Sequence, residues 1–165
     1  MHEQRLGSRY LLVNRLGGGG MGEVFLARMT GVSGDQLAVK ILRPELADDP
    51  DLVSRFLQES RLLRGVRHPN VVRVLDLVVE GDRFGIVMEY VPDGDLRRAV
   101  AIPCPTGLAF DLLAQVADGL AAIHGAGITH RDLKPENVLV QVRPVGRRRS
   151  PATDTPRYRR SRHVA

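Results

Sequence analysis

Short apolar runs alternate with polar breaks through the first ninety residues. "RYLLVNRLG" (9–17) and "EVFLAR" (23–28) flank a cluster of glycines, and "DQLAVKIL" (35–42) follows a "TGVSGD" turn. Apolar and β-branched residues bounded by turn formers predict three antiparallel strands here. The period then changes. In "DDPDLVSRFLQESRLLRGV" (48–66) Leu52, Phe56, Ser60 and Leu63 fall on one helical stripe. Asp49 suits the N-cap of that helix, Pro50 its first turn and Gly65 its C-terminus. "NVVRVLDLVVEGDRFGIVMEYV" (70–91) predicts two strands around an "EGD" turn, and "PDGDL" (92–96) breaks the pattern, with a short helix from Asp95. "IPCPTG" (102–107) is a loop. Leu108, Leu112, Val116, Leu120 and Ile123 repeat at helical spacing and predict a helix over 108–127 that ends at Gly125 or Gly127.

Composition changes this picture in two places. With 165 residues, 43% hydrophobic and 26% charged, the chain fits one soluble domain with a core of its own. The single cysteine, Cys104, excludes an intramolecular disulfide framework and suits a reducing cytoplasm. "MHEQRLGSRY" has no apolar core of a signal peptide, and no apolar run approaches the ~18 residues of a membrane span, so a cytoplasmic chain is expected. The net charge of +5, however, is not evenly spread. Eight of the 24 basic residues and one of the 19 acidic residues lie in 141–165, which gives that stretch +7 and leaves residues 1–140 at −2. The tail mixes Arg and Pro with Ser and Thr without periodicity, so 141–165 is expected to lack order. Eight arginines are able to contact nucleic acid, but no aromatic-interleaved platform or folded motif accompanies them. The second place is lysine. Only Lys40 and Lys134 occur, in a chain that otherwise uses Arg for positive charge, which marks both as positions where a compact ammonium matters.

Three stretches carry candidate chemistry. In "LGGGGMGEVF", Gly17-x-Gly19-x-x-Gly22 lets backbone N–H groups approach phosphate oxygens without a Cβ in the way. A flexible hairpin turn reads equally well in isolation, and a dinucleotide fingerprint has the same spelling. A dinucleotide loop opens a helix, whereas "EVFLAR" is a strand, which favours a lid over phosphates. In "AVKIL", Lys40 alternates to the face opposite Val39 and Ile41; its natural partner is Glu59, the one acid between Phe56 and Leu63 on the next helix. An exposed lysine on an edge strand is the plainer alternative. In "HRDLKPENVL", Asp132, Lys134 and Asn137 fall within six residues. A carboxylate deprotonates or orients a hydroxyl, an ammonium neutralises a transferring phosphoryl, and an amide oxygen ligates Mg2+.

These residues carry a resemblance to the protein kinases, and in particular to the bacterial "eukaryotic-like" Ser/Thr kinases. It runs through residues 9–140 and includes "LGGGGMGEVF", "AVK", Glu59, "HPNVVRV", "GIVMEYVPDGDL" and "HRDLKPENVLV". The resemblance implies an α+β fold with an extension at 1–8. Residues 9–91 would form a complete N-terminal lobe of five antiparallel strands and one helix, and 92–140 a partial helical C-terminal lobe. It implies ATP and Mg2+ as cofactors and a protein Ser/Thr as acceptor. Gly17, Gly19 and Gly22 would cover the phosphates, and Lys40 paired with Glu59 would hold the α- and β-phosphates. Leu16, Val24, Ala38 and Leu139 would sandwich the adenine, Met88 would stand behind it, and backbone groups of Glu89 and Val91 would bond its edge. Asp132 would accept the hydroxyl proton, Lys134 steady the γ-phosphate and Asn137 bind Mg2+.

The pattern departs after Val140. The family continues to Asp-Phe-Gly and Ala-Pro-Glu, whereas 141–165 hold no Phe, one Gly and one Asp, Asp154 in "TDTPR". Arg-rich sequence without periodicity is what an out-of-frame reading of GC-rich DNA produces, so a truncated or frameshifted kinase with little or no activity is expected. The alternative is a non-catalytic ATP-binding or scaffold module. The apolar face Ala109, Leu112, Leu113, Val116, Leu120 and Ile123 then calls for a partner.

Overall fold

The computed structural model describes residues 4–32, 34–99, 104–144 and 158–164, with side chains described in the first three segments as far as Gln141. The chain divides into two compact units: Met1–Arg67 with Arg73–Tyr90, and His68–Val72 with Val91–Ala165.

The first unit is a six-stranded antiparallel sheet with helices. Its strands are β1 (Arg5–Leu6), β2 (Tyr10–Gly18), β3 (Gly22–Met29), β4 (Gln36–Leu42), β5 (Val74–Glu80) and β6 (Arg83–Glu89), in the order β1-β2-β3-β4-β6-β5. Five of the six correspond to the apolar runs of the sequence. The sixth, β1, falls in what reads as an extension: Leu6 is fully buried and packs with Tyr10, Leu12, Ala27, Leu37, Val39 and Val87. Leu6 and Val87 lie on strands far apart in the sheet order, so the sheet curls to enclose this cluster. A Cβ on Gly85 would meet the end of the Leu6 side chain, so a larger residue there would make Leu6 shift within the cluster. Polar contacts tie the β1–β2 edge to β5 and β6. The Gly7 N–H donates to Glu80 (2.9 Å) and Arg83 donates to the carbonyl of Arg5 (2.8 Å). Arg9 and the Tyr10 hydroxyl both donate to Oδ2 of Asp76, at 2.6 and 2.8 Å.

Burial, reinforced by that bond to Asp76, pushes the Tyr10 phenol up to about 12. A raised value means the neutral phenol is the form the fold prefers. Its contribution is whole below the ordinary phenol value of 10.0 and is lost as pH rises towards about 12. Tyr10→Phe is expected to lower stability by about 1 kcal/mol and to remove the phenol ionisation near pH 12 from an ultraviolet titration.

The opposite face of the sheet packs on α2 (Pro50–Gly65), which is preceded by a single turn, α1 (Pro44–Ala47). Phe56 of α2 buries against Leu42, Val74 and Ile86, with Leu52 and Leu63 partly buried beside it. The Ser60 hydroxyl, buried on the same stripe, donates to the Phe56 carbonyl. Asp49 is the N-cap as expected, accepting from the N–H groups of Asp51 (3.0 Å) and Leu52 (3.1 Å), which otherwise lack helical partners. Asp49→Ala is expected to cost about 1 kcal/mol, read as a shift in denaturant midpoint at unchanged slope.

The second unit is built on α4 (Thr106–Gly125), after a single turn, α3 (Leu96–Ala99). Leu112, Val116, Gly119 and Ile123 are its buried stripe, while Phe110 and Leu113 stand 68% and 62% exposed. Among the described residues α4 is the one helix long and apolar enough to cross a membrane by length and composition, whereas no such run is expected from the sequence; a core helix passes the same test. His68 and Asn70 dock on it, with the His68 Nε2 3.3 Å from Asp118 and the buried Asn70 amide donating to the same oxygen at 3.2 Å. After a 3-10 turn at Pro135–Asn137, β7 (Val138–Pro144) pairs antiparallel with β8 (Tyr158–Val164). β8 lies within the stretch 141–165 expected to lack order, of which residues 145–157 fall outside the described residues.

Candidate functional site

In the first unit the candidate residues follow from strand register. Val24 lies opposite Lys40 and Lys40 opposite Ile86, while Leu26 lies opposite Ala38 and Ala38 opposite Met88. Directly opposed residues, and residues two apart on a strand, share a face. Val24, Ala38, Lys40 and Met88 are therefore brought to one face of the sheet, the face on which Leu42 and Ile86 meet α2. Glu59, half-buried, lies one helical turn after Phe56 on that same helix. Val39 lies on the other face, fully buried in the first cluster.

The glycine loop joins β2 and β3. The register slips between Arg15 and Gly17, which leaves Leu16 as an extra, 44% exposed residue. A bulge of this kind re-aims its side chain. The Gly19 N–H donates to the Gly22 carbonyl at 2.9 Å, so Gly20 and Met21 form the tip. The three motif glycines are not equivalent. A Cβ on Gly22 would collide with the carbonyl oxygen of Ile41, so close strand pairing requires glycine there. A Cβ on Gly17 or Gly19 would meet no protein atom within 4 Å, so nothing in the packing of this chain demands glycine at either. Glu89, at the end of β6, donates its N–H to the Arg73 carbonyl (3.1 Å) and accepts from the Arg73 N–H through its carboxylate (2.9 Å).

In the second unit the chain leaves α4 through a Schellman turn. Gly127, at φ 77°, donates to the His124 carbonyl, and Ile128, buried, donates to that of Ile123. Arg131 then adopts φ 58°, the one non-glycine residue at positive φ among the described residues. This conformation is costly for a residue with a Cβ and turns the chain sharply into Asp132.

Asp132, Lys134 and Asn137 converge. Lys134 Nζ lies 2.8 Å from Oδ2 of Asp132, and the Asn137 amide donates to that same oxygen (3.0 Å) and to the Asp132 carbonyl (2.8 Å). Oδ1 of Asp132 has no hydrogen-bond partner among the described residues. The bond from Lys134, assisted by that from Asn137, holds the Asp132 carboxyl below the usual carboxylate range, while Asp132 raises Lys134. The depressed value means that Asp132 supports the loop at ordinary pH and loses that role as pH falls through its lowered value. The raised value of Lys134 has the opposite sign, so the pair persists until pH rises past it.

Neighbouring residues brace the loop. Val140 donates to the Gly94 carbonyl (2.8 Å), and Arg97 of α3 pairs with Glu136 at 2.9 Å. Sequence reasoning missed Arg97, because nothing distinguishes it from the other arginines. Val91, buried, and Leu139, half-buried, also belong to this unit. No cluster of three or more His, Cys, Asp or Glu able to hold a metal occurs among the described residues. The oxygen donor here is the Asn137 amide, whose NH2 end is committed to Asp132, leaving Oδ1 on the far side. That donor suits a hard cation that keeps most of its shell as water and phosphate oxygens.

Comparison with known proteins follows the same residues. The protein kinase domain matches residues 10–145. Serine/threonine-protein kinase PkaA of Streptomyces coelicolor is 46% identical over 148 residues, 82% of this chain and 27% of the relative. Serine/threonine-protein kinase pkn2 of Myxococcus xanthus is 45% identical over 136 residues, 82% of this chain and 16% of the relative. The crystal structure of the Mycobacterium tuberculosis PknI kinase domain aligns at a TM-score of 0.71 and 30% identity, covering 86% of this chain and 58% of that one. The chain thus spans about a quarter or less of those two curated relatives and somewhat over half of a solved kinase domain. With its glycine loop, Lys40 strand and Asp132 loop inside one continuous match to these bacterial Ser/Thr kinases, the chain belongs to the protein kinase family.

Proposed function

We propose that the site transfers the γ-phosphoryl group of ATP to a serine or threonine hydroxyl of a protein. The observation that carries this reading is the one-sided engagement of Asp132: Lys134 and Asn137 both hold Oδ2. Oδ1 is thereby available to a substrate hydroxyl. The hydroxyl oxygen bonds to the γ-phosphorus as the bond from that phosphorus to the ADP oxygen breaks, and the proton passes to Oδ1 of Asp132. Lys134, 2.8 Å from Asp132, would neutralise the charge of the transferring group. In the first unit, Gly17 and Gly19 leave room for phosphates, and Lys40 with Glu59 orients them. Leu16, Val24, Ala38, Met88 and Glu89 are the first unit's candidates for the adenine, and Val91 and Leu139 are the second unit's. Mg2+, when bound, neutralises phosphate charge, and Asn137 Oδ1 is the residue atom here that would hold it.

A second reading rests on one observation: residues 141–165 contain no Asp-Phe-Gly. Without that metal-binding carboxylate the 165-residue chain is expected to turn over at least ~10³-fold more slowly than a complete kinase domain and to act chiefly as a nucleotide-binding module. Labelled-ATP transfer and a thermal-shift titration with Mg-ATP on the purified chain separate the two. Transfer supports the enzyme, a shift without transfer supports the binding module, and neither signal sinks both.

A further inference from the structure

Arg43 lies three residues beyond Lys40 and grips the glycine loop twice. Its backbone N–H donates to the Met21 carbonyl (3.1 Å) and its Nε donates to the Gly19 carbonyl (3.0 Å). Among the described residues no other side chain bonds a backbone group of the loop tip. The Arg15–Glu23 pair (2.9 Å) spans the strands at the root of the loop and joins one side chain to another. The consequence lies in peptide geometry. The Gly19 carbonyl and the Gly20 N–H belong to one peptide unit, and in a trans peptide they point in opposite directions. Holding the Gly19 oxygen towards Arg43 therefore turns the Gly20 N–H away from it. The Gly19 N–H is meanwhile engaged by the Gly22 carbonyl, so Gly19 itself has no donor for an anion.

We propose that Arg43 is a positioning residue for nucleotide phosphates: it presets the 19–20 peptide so that Gly20, rather than Gly19, presents its N–H to them. The proposal rests on the ATP reading above. A glycine at the tip flips its peptide easily, because both signs of φ are open to it. A fixed external donor removes that freedom before the ligand arrives, and such preorganisation appears as affinity.

The test compares Arg43→Ala and Arg43→Gln with the parent chain in titrations of ATP and of adenosine, which lacks phosphates. Arg43→Ala is expected to weaken ATP about 5- to 10-fold and leave adenosine unchanged, because the lost bond acts only on the phosphate contacts. Arg43→Gln, which keeps an N–H donor without the charge, is expected to recover part of the loss. Equal ATP affinity in Arg43→Ala, an equal loss for adenosine, or no recovery in Arg43→Gln each overturns the proposal. Amide exchange without nucleotide keeps the outcome separate from the ATP reading. Faster exchange at Gly19 in Arg43→Ala, at unchanged melting temperature, supports the grip even if the parent binds no ATP, and unchanged exchange refutes it.

Discussion

Asp132→Asn is expected to slow phosphoryl transfer by about 10²- to 10⁴-fold while leaving the affinity for Mg-ATP unchanged. The substitution separates charge from architecture. Lys134 and Asn137 hold the Asp132 side chain by donating to one oxygen, and an asparagine oxygen accepts from both. What it cannot do is take a proton from the incoming hydroxyl. Single-turnover transfer from labelled ATP to a Ser/Thr peptide mixture, read beside a nucleotide titration, makes the distinction. Equal rates for the two chains would remove Asp132 from the reaction.

Lys40→Ala is expected to weaken Mg-ATP binding about 10- to 100-fold, the usual loss for one charge-assisted hydrogen bond. In a thermal-shift experiment at a ligand concentration of ~100 times the parent Kd, the parent gains about 2.7 kcal/mol. A variant weakened 100-fold gains about 0.4 kcal/mol at the same concentration. Lys40→Arg should not restore the binding. Lys40 lies half-buried in register with Val24 and Ile86, where a planar fork with five donors replaces a compact ammonium poorly. Full affinity in either variant would make Lys40 an ordinary strand lysine.

What the sequence disclosed depended on the range of the interaction concerned. Strands β2 to β6 and helices α2 and α4 are written locally, as alternation, helical stripes and caps, and Asp49 is an example in which a cap was readable before any fold. The convergence of Asp132, Lys134 and Asn137 is likewise local, because six residues around a proline leave few ways to arrange them. Strand β1 was not legible. Two residues carry no alternation, and Leu6 is buried because a curled sheet returns to it. The single turn α1 is shorter than any periodic signal. Arg43 and Arg97 were invisible for a different reason. Each acts on a partner 24 or 39 residues away, and in a chain that uses arginine almost everywhere a functional arginine has no distinguishing mark.

The docking of His68 and Asn70 on Asp118 bears on how the protein can be divided for study. A fragment ending at Tyr90 would keep all six strands of the curled sheet and would look self-contained. It would also carry an asparagine that is 7% exposed in the intact chain, now without the α4 carboxylate that receives its amide. With α4 absent, water replaces that carboxylate, so the fragment forgoes only the net worth of the bond, about 0.5–1.5 kcal/mol. Such a fragment would hold the 68–72 segment without the helix its polar side chains bond, so α4 is best supplied with it.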